Sequence, residues 1–224
     1  MLSVVIPTLN AASALPSTLE ALKTGIGAGL EAEVIVVDGG SSDATLTIAE
    51  AFGCRILRCS AGRGSQLRAG CAAARLEWVL TLHADTRLEA GWREAVLKHI
   101  RRHPQAAGYF ELQFDDPSRI ARVWESGVGL RNKVFALPYG DQGLLVSKAL
   151  YSEIGGYPDW PLFEDVEIVA RLGRRRLRRL EARAATSSEK YQRDGWVKRS
   201  IANAILYGRW RLGEDPSKLR HDYR

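Results

Sequence analysis

Short apolar segments without polar alternation recur through the first half of the chain. The segments "SVVIPTLN" (3–10), "EVIVVDGG" (33–40), "CRILRC" (54–59) and "WVLTLHAD" (78–85) are rich in β-branched or aliphatic residues, and most run into polar or glycine-rich residues. Continuous apolar runs of this length are typical of strands that are buried on both faces. They predict four strands of one sheet.

Segments with helical spacing separate these strands. Leu15, Leu19 and Leu22 predict a helix that ends at Gly25, and Asp43 is the expected N-cap of the helix over 43–52. Two more helices are expected over 64–76 and 91–103. Alternation of strands and helices predicts an α/β fold, with a Rossmann-like, mostly parallel central sheet flanked by helices.

The pattern changes after residue 105. "GYFELQF" alternates, "GLLVSKAL" predicts another short strand, and a loop turns into a helix at Glu164. Near the C-terminus, "GWVKRSIANAILYGRW" places apolar residues on one helical face among basic ones. Without a repeat or a linker, we expect a single domain with a nucleotide-binding half (1–105) and an acceptor half (106–224).

Composition narrows the class of protein. The 224 residues are 46% hydrophobic, enough for a sizeable core. No run of 18 apolar residues exists to span a bilayer, and "MLSVVIPTLN" lacks the features of a signal peptide. Three cysteines form no CxxC pair, and an odd number suits a reducing compartment. We therefore expect a cytoplasmic protein.

The net charge of +6 comes largely from "RLGRRRLRRLEAR" (171–183) and the C-terminal "KLRHDYR". A polyanion, an anionic membrane surface, a phosphate-bearing substrate or simple solvation of a basic face would each account for it. No aromatic residues interleave "RRRLRR" as stacking platforms would require, so we expect no nucleic acid partner.

Two acidic residues lie where predicted strands meet their loops. Ligands of parallel sheets bind at the carboxyl ends of the strands. There, Asp85 could coordinate a hard divalent cation that neutralises a diphosphate, and Asp38 could accept a hydrogen bond from a base or a ribose hydroxyl. Caps and turns also use Asp freely, so neither residue alone identifies a site.

The order of five motifs is more specific. "SVVIPTLN", "VIVVDGGSSDAT", "GRGSQLRAG", "LTLHADT" and "FEDVEI" together resemble the family 2 glycosyltransferases of the GT-A fold. The resemblance covers most of the chain. The motifs "YGDQG", "GGYPDWPLFEDVE" and "YGRWRLG" are most similar to a bacterial subgroup, the rSAM/selenodomain-associated transferase 2 proteins.

The resemblance implies a sugar transferase whose donor substrate is a nucleotide-diphospho-sugar and whose cofactor is a divalent metal, Mn²⁺ or Mg²⁺. On the donor side it implies that Asp38 contacts the base, that Arg63 lies near the base or the diphosphate, and that Asp85 holds the metal. Three further residues would line the nucleotide pocket: Pro7, Thr8 and Asn10.

On the acceptor side the resemblance implies that Asp165, the second residue of the "ED" pair, is the general base for an acceptor hydroxyl. Glu164 would orient Asp165, or would only complement the dipole of the helix that it opens. Asp141 and Gln142 of "YGDQG" could bind sugar or acceptor hydroxyls, or only form a tight loop. Transfer is expected to be inverting.

One departure from the family concerns the metal. His83 stands where the first Asp of a DxD element is usual. It could hydrogen-bond the ribose, have a structural role, or ligate Mn²⁺; we favour the first two because Mg²⁺ and Mn²⁺ sites are dominated by oxygen ligands. His221 in the basic tail is disfavoured as a further ligand.

Two other classes of function are weighed. A dinucleotide-binding oxidoreductase needs a glycine-rich turn after the first strand, and "PTLNAAS" contains no Gly. A non-catalytic basic module that docks on an anionic membrane or RNA is the principal alternative. Membrane contact is also compatible with transfer: an amphipathic segment around Trp196 and Trp210 would suit peripheral binding and a lipid-linked acceptor.

Overall fold

The four apolar segments of the first half form neighbouring strands of one sheet. The computed structural model describes residues 1–27 and 29–223. All pairings among these four strands are parallel, in the order β3, β2, β1, β4. The strands are β1 (Leu2–Thr8), β2 (Ala32–Asp38), β3 (Arg55–Arg58) and β4 (Trp78–Thr81).

Four more strands, three of them from the second half, extend the same sheet to eight strands, in the order β3-β2-β1-β4-β7-β6-β8-β5. β7 is antiparallel to both β4 and β6, β6 and β8 are parallel, and β5 and β8 are antiparallel. Four of the seven pairings described are parallel and three are antiparallel, so the sheet is mixed and mostly parallel, as predicted. The added strands are β5 (Arg87–Leu88), β6 (Ala107–Phe114), β7 (Leu144–Ser147) and β8 (Leu177–Thr186).

Helices cover both faces of the sheet, as the α/β prediction required. Short 3₁₀ turns occupy Gly140–Gln142 and Arg174–Arg176. The α-helices are α1 (Leu15–Ile26), α2 (Thr45–Ala51), α3 (Arg63–Ala73), α4 (Trp92–Arg102), α5 (Arg119–Phe135), α6 (Lys148–Glu153), α7 (Glu164–Leu172), α8 (Glu189–Asp194), α9 (Trp196–Arg211) and α10 (Pro216–Asp222).

Successive residues of β1 pack into different layers, because side chains alternate across a strand. Val4 and Ile6 belong to the core under α1 and α4, and Val5 belongs to the core under α3 and α7. A third, smaller cluster joins β6 to α5 and α9 through Phe114, Ala121 and Trp196. None of the described helices is both long and apolar enough to cross a bilayer.

Three local predictions need correction. Gly25 does not end the first helix: α1 continues to Ile26, and Gly25 leaves room for the Trp92 ring, which an added Cβ would overlap. Asp43 is not the N-cap of α2, because the N-cap is the next residue, Ala44. The Asp43 carboxylate still accepts a hydrogen bond from the Thr45 N–H, 3.0 Å away. The strand expected over 78–85 ends at Thr81, so the polar residues that follow lie in a turn.

Two elements lie in segments that the sequence pattern left unassigned. The basic segment contributes β8, whose Leu177 and Leu180 are buried while Arg178 and Arg179 are exposed. The helix α5 packs on β6 and is capped by Ser118, whose hydroxyl accepts from the Ala121 N–H.

Candidate active site

A cleft opens at the carboxyl ends of β1 and β4, where the sequence predicted ligand binding. One part is a cavity of 340 Å³ whose walls include Pro7 and Thr8 of β1 and Arg63 and Gln66 of α3. A second part of 180 Å³ is lined by His83, Asp85, Asp141 and Asp165, among others. The two parts share three lining residues, Arg63, His83 and Tyr223, and therefore form one cleft.

Asp38 is committed to the turn that follows β2. Its carboxylate accepts hydrogen bonds from the backbone N–H groups of Gly40 and Ser41, each 2.9 Å away, and from the hydroxyls of Ser41 and Thr8. Burial raises the pKa of Asp38, but these hydrogen bonds outweigh burial and hold it below its usual value. Four donors thus already occupy the two oxygens of Asp38. The predicted contact between Asp38 and the nucleotide base stays a prediction.

Asn10 joins two loops at the rim. Its backbone is in the left-handed region (φ 52°), and its side-chain oxygen accepts from the Ser42 N–H at 2.9 Å. The Asn10 N–H donates to the Ser41 hydroxyl at 2.9 Å. Its predicted place in the nucleotide pocket therefore stays a prediction, while its observed contacts fix the shape of the turn after β2.

Gln66 is a positioning residue that the sequence analysis did not single out. Its buried amide donates to the carbonyls of Thr8 (2.8 Å) and Val37 (2.7 Å), at the ends of β1 and β2. The Gly62 N–H in turn donates to the Gln66 oxygen at 3.3 Å. The "GRGSQL" motif was the available signal: it places an amide one helical turn after the loop that enters α3.

Arg63 and Glu164 form an ion pair below the cleft. The Arg63 guanidinium donates through Nε and a terminal nitrogen to the two oxygens of Glu164, whose side chain is fully buried. Burial raises the pKa of Glu164, and the Arg63 charge opposes that shift. Glu164 thus binds Arg63, and its predicted role in orienting Asp165 stays a prediction.

Asp165 faces the cleft from the first turn of α7. The Gly140 N–H donates to its Oδ2 at 2.7 Å and the Val166 N–H to its Oδ1 at 2.8 Å, and the side chain lines the cleft. An added Cβ at Gly140 would lie 2.7 Å from His83 Nε2 and 3.0 Å from Asp165 Oδ2. His83 and Asp165 therefore flank the same glycine, and the site brings these two predicted residues together.

His83 is held as a neutral imidazole. Burial and the nearby Arg63 charge lower its pKa to about 4, and the carboxylates of Asp85 and Asp165 only partly offset them. A neutral ring has one acceptor nitrogen and one N–H donor. It can hydrogen-bond a hydroxyl at neutral pH, and the predicted contact with the ribose stays a prediction.

The two polar residues of the "YGDQG" loop differ: Gln142 is buried, and Asp141 faces the cleft. Gln142 is fully buried and donates to the Phe110 carbonyl at 2.8 Å, so its role is structural. Asp141 points into the cleft, and its buried Oδ1 has no hydrogen-bond partner among the described residues. Burial, together with Asp165 and Asp85, raises the pKa of Asp141 to about 6.

Asp85 lies exposed in the turn after β4 and lines the same part of the cleft as Asp141. Within residues 1–27 and 29–223, no group of three or more His, Cys, Asp or Glu side chains is arranged to hold a metal ion. The oxygens of Asp85 and the unpaired Oδ1 of Asp141 fit instead an open site, where a hard divalent cation shares its coordination with phosphate oxygens and water.

Comparison with known proteins identifies the family. The family model described as "Glycosyl transferase family 2" matches residues 3–153. The chain belongs to this family. The match includes the donor-side residues from Pro7 to Asp85 and the "YGDQG" loop, whereas Asp165 lies beyond it.

A relative in Mycobacterium bovis is the "PGL/p-HBAD biosynthesis glycosyltransferase", 29% identical over 167 residues. The alignment covers 70% of this chain and 63% of the relative, so the chain spans less than two thirds of the relative's length. The subgroup inferred from the motifs stays a prediction.

Solved structures of glycosyltransferases share the fold. Residues 1–349 of S. aureus TarS in complex with UDP-GlcNAc superpose with a TM-score of 0.64 at 17% identity, over 83% of this chain and 58% of that TarS chain. M. tuberculosis glucosyl-3-phosphoglycerate synthase gives a TM-score of 0.59 at 19% identity, over 84% and 70% of the two chains. These likenesses confirm the predicted GT-A fold.

Proposed function

We propose that the protein transfers a glycosyl group from a nucleotide-diphospho-sugar to an acceptor hydroxyl, with inversion and with Asp165 as the general base. The observation that carries the proposal is the place of the Asp165 carboxylate, which lies in the cleft on the Gly140 N–H and beside His83. S. aureus TarS was solved with UDP-GlcNAc and with UDP, which supports a donor of this class.

The proposed reaction is one displacement at the anomeric carbon. The acceptor oxygen forms a bond to that carbon as the bond to the diphosphate oxygen breaks, and the nucleoside diphosphate leaves with the electron pair. Asp165 takes the proton of the acceptor hydroxyl. The Gly140 N–H fixes the Asp165 carboxylate for this task, and Arg63 places a positive charge on the donor side of the cleft.

Asp85 would hold the divalent metal, with Asp141 as a second source of oxygen. When bound, the ion neutralises charge on the diphosphate. His83, which stays neutral above pH of about 4, would donate to or accept from a donor hydroxyl.

Calorimetric titration with UDP and GDP, each with and without Mn²⁺, tests the donor side. We expect metal-dependent binding of one nucleotide that Asp85→Asn abolishes. Equal binding of that nucleotide by the Asp85→Asn variant would remove the metal role, and no binding of either nucleotide would count against the donor class.

Asp165→Asn tests the base. The amide keeps an oxygen for the Gly140 N–H but cannot take a proton, so we expect nucleotide binding to persist while transfer is lost. Asp159→Asn is the matched control, since this exposed carboxylate lies in the loop before α7. Transfer by Asp165→Asn at the rate of the control would overturn the assignment.

A further inference from the structure

Two helices of the second half carry apolar residues on their solvent side. On α9, Val197, Ile201 and Ile205 recur at intervals of four residues and are 55–58% exposed. On α5, the exposed apolar residues are Ile120, Val123, Leu130, Val134 and Phe135, the last at 70% exposure. Single exposed apolar residues are normal, but a stripe along one helix indicates a partner surface.

The two stripes lie on adjoining helices. Trp124 of α5 donates through its indole N–H to the Ser200 hydroxyl of α9 at 2.6 Å, and its ring contacts Trp196, with centroids 5.8 Å apart. These contacts join the two helices. We call the two stripes together the α5–α9 face.

The same two helices are strongly basic, as is the separate segment 171–183. The two helices contain eight Lys or Arg and a single acidic residue, Glu125, which pairs with Arg122 at 2.8 Å. The rest of the chain has 24 basic and 25 acidic residues and is almost neutral. An apolar stripe with this charge matches a surface that is both apolar and anionic.

Four of these basic side chains are free to meet such a surface. Arg119, Lys133, Lys198 and Arg211 are exposed, and in the described part of the chain none of them forms an ion pair. Long basic side chains beside apolar residues can reach lipid headgroups while their stems lie along the apolar layer. Arg174, on the Lys133 and Val134 carbonyls, adds charge at the end of α5.

We propose that the α5–α9 face docks the protein on the surface of an anionic lipid bilayer, with the apolar residues at the level of the headgroups. The opposite side of α9 presents Arg199 and Asn203 to the cleft. One helix thus separates the cleft from the bilayer, so an acceptor anchored in lipid could reach Asp165 along the helix. Docking itself requires neither donor nor acceptor.

Flotation of the full chain with vesicles tests the proposal. We expect binding to phosphatidylcholine vesicles that contain phosphatidylglycerol, and little to phosphatidylcholine alone. The double variant I201S/I205S should lower the partition coefficient about tenfold or more, and K198Q/R211Q should lower it by a similar factor. The variant R101Q/R102Q removes the same charge from the exposed end of α4 and should leave binding unchanged.

Three outcomes would overturn the proposal. One is absence of wild-type binding to the anionic vesicles. Another is binding that K198Q/R211Q weakens but I201S/I205S does not, which would indicate attraction to any polyanion, RNA included. The third is a wild-type dimer in sedimentation velocity that I201S/I205S converts to monomer without vesicle binding, which would assign the face to a second copy. Loss of transfer in Asp165→Asn bears on none of these results.

Discussion

Arg63 and Glu164 lie 101 positions apart in sequence, yet a two-point ion pair joins them at the base of the cleft. The pair ties the start of α3, on the proposed donor side, to the start of α7, which carries Asp165. Glu164 is inaccessible to solvent, whereas Arg63 keeps 29% of its side chain exposed. The two sides of the site are thus held in register by one buried charge.

Removal of that charge should be costly. Glu164→Ala leaves Arg63 without its partner, and loss of one member of a buried pair typically costs about 3 kcal/mol in free energy of unfolding. Urea denaturation measures the change. Glu167→Ala is the control, because its pair with Arg171 on the surface of the same helix contributes about 0.5 kcal/mol. Similar losses in both variants would contradict the role given to Glu164.

Gly140 should be intolerant of a methyl group. Gly140→Ala would push His83 and Asp165 apart, because the new Cβ falls within 3.0 Å of both, and a displaced base can lower the transfer rate about 100-fold. Steady-state transfer assays measure the effect. In Gly127→Ala the added Cβ on α5 meets open space, so unfolding free energy should rise by about 1 kcal/mol without loss of activity. Full activity in Gly140→Ala would show that a methyl group at this position does not displace His83 or Asp165.

Asp141 should destabilise the fold at neutral pH. Its pKa rises from 3.8 to about 6 on folding, so the unfolded chain loses this proton first and stability falls as pH increases from about 4 to above 6. Asp141→Asn should therefore be more stable than wild type by about 1–3 kcal/mol at pH 8. The difference should vanish below pH of about 4.

Urea denaturation across this pH range measures the Asp141 effect. Asp159→Asn, which changes an exposed carboxylate, serves as the control and should show no such pH-dependent gain. A gain of the same size at every pH would mean that the carboxylate of Asp141 does not titrate as its surroundings require.

Gln66 should couple stability to nucleotide binding. Gln66→Leu removes the amide from two buried carbonyls at the ends of β1 and β2, at a cost of about 2 kcal/mol, and should weaken binding of the nucleotide because Thr8 lines the cleft. Gln192→Leu alters an exposed amide and should change stability by less than about 0.5 kcal/mol. Unchanged nucleotide affinity in Gln66→Leu would argue against this link.

The first half of the fold was predictable because its strands are buried on both faces. β1 and β4 read as unbroken apolar runs, and their parallel orientation followed from the helices between the strands. β8 was not predictable in the same way: its arginines face solvent beside β6, and a bulge between Tyr109 and Glu111 interrupts the register. The many arginines of this segment therefore hid the alternation of buried and exposed residues that is typical of a strand.

The candidate site was predictable in its residue types but not in their partners. The motifs predicted Asp165, Arg63 and His83 as site residues, and all three line one cleft in the structure. They could not show that Glu164 binds Arg63, or that Asp38 is used by its own turn, because both depend on contacts between loops. The helix α5 was not predicted, because apolar residues on its exposed side weakened the amphipathic pattern of its sequence.

The place of β7 in the sheet has a consequence for how the chain can be divided. β7 pairs with β4 over four residues and with β6 on its other side, so the junction between the two halves is a continuous ladder of hydrogen bonds. A fragment that ended at residue 105 would expose one edge of β4, an apolar strand that is buried throughout. Such an edge is a template for aggregation. The halves should therefore melt in a single cooperative transition, and the first should not remain dispersed alone.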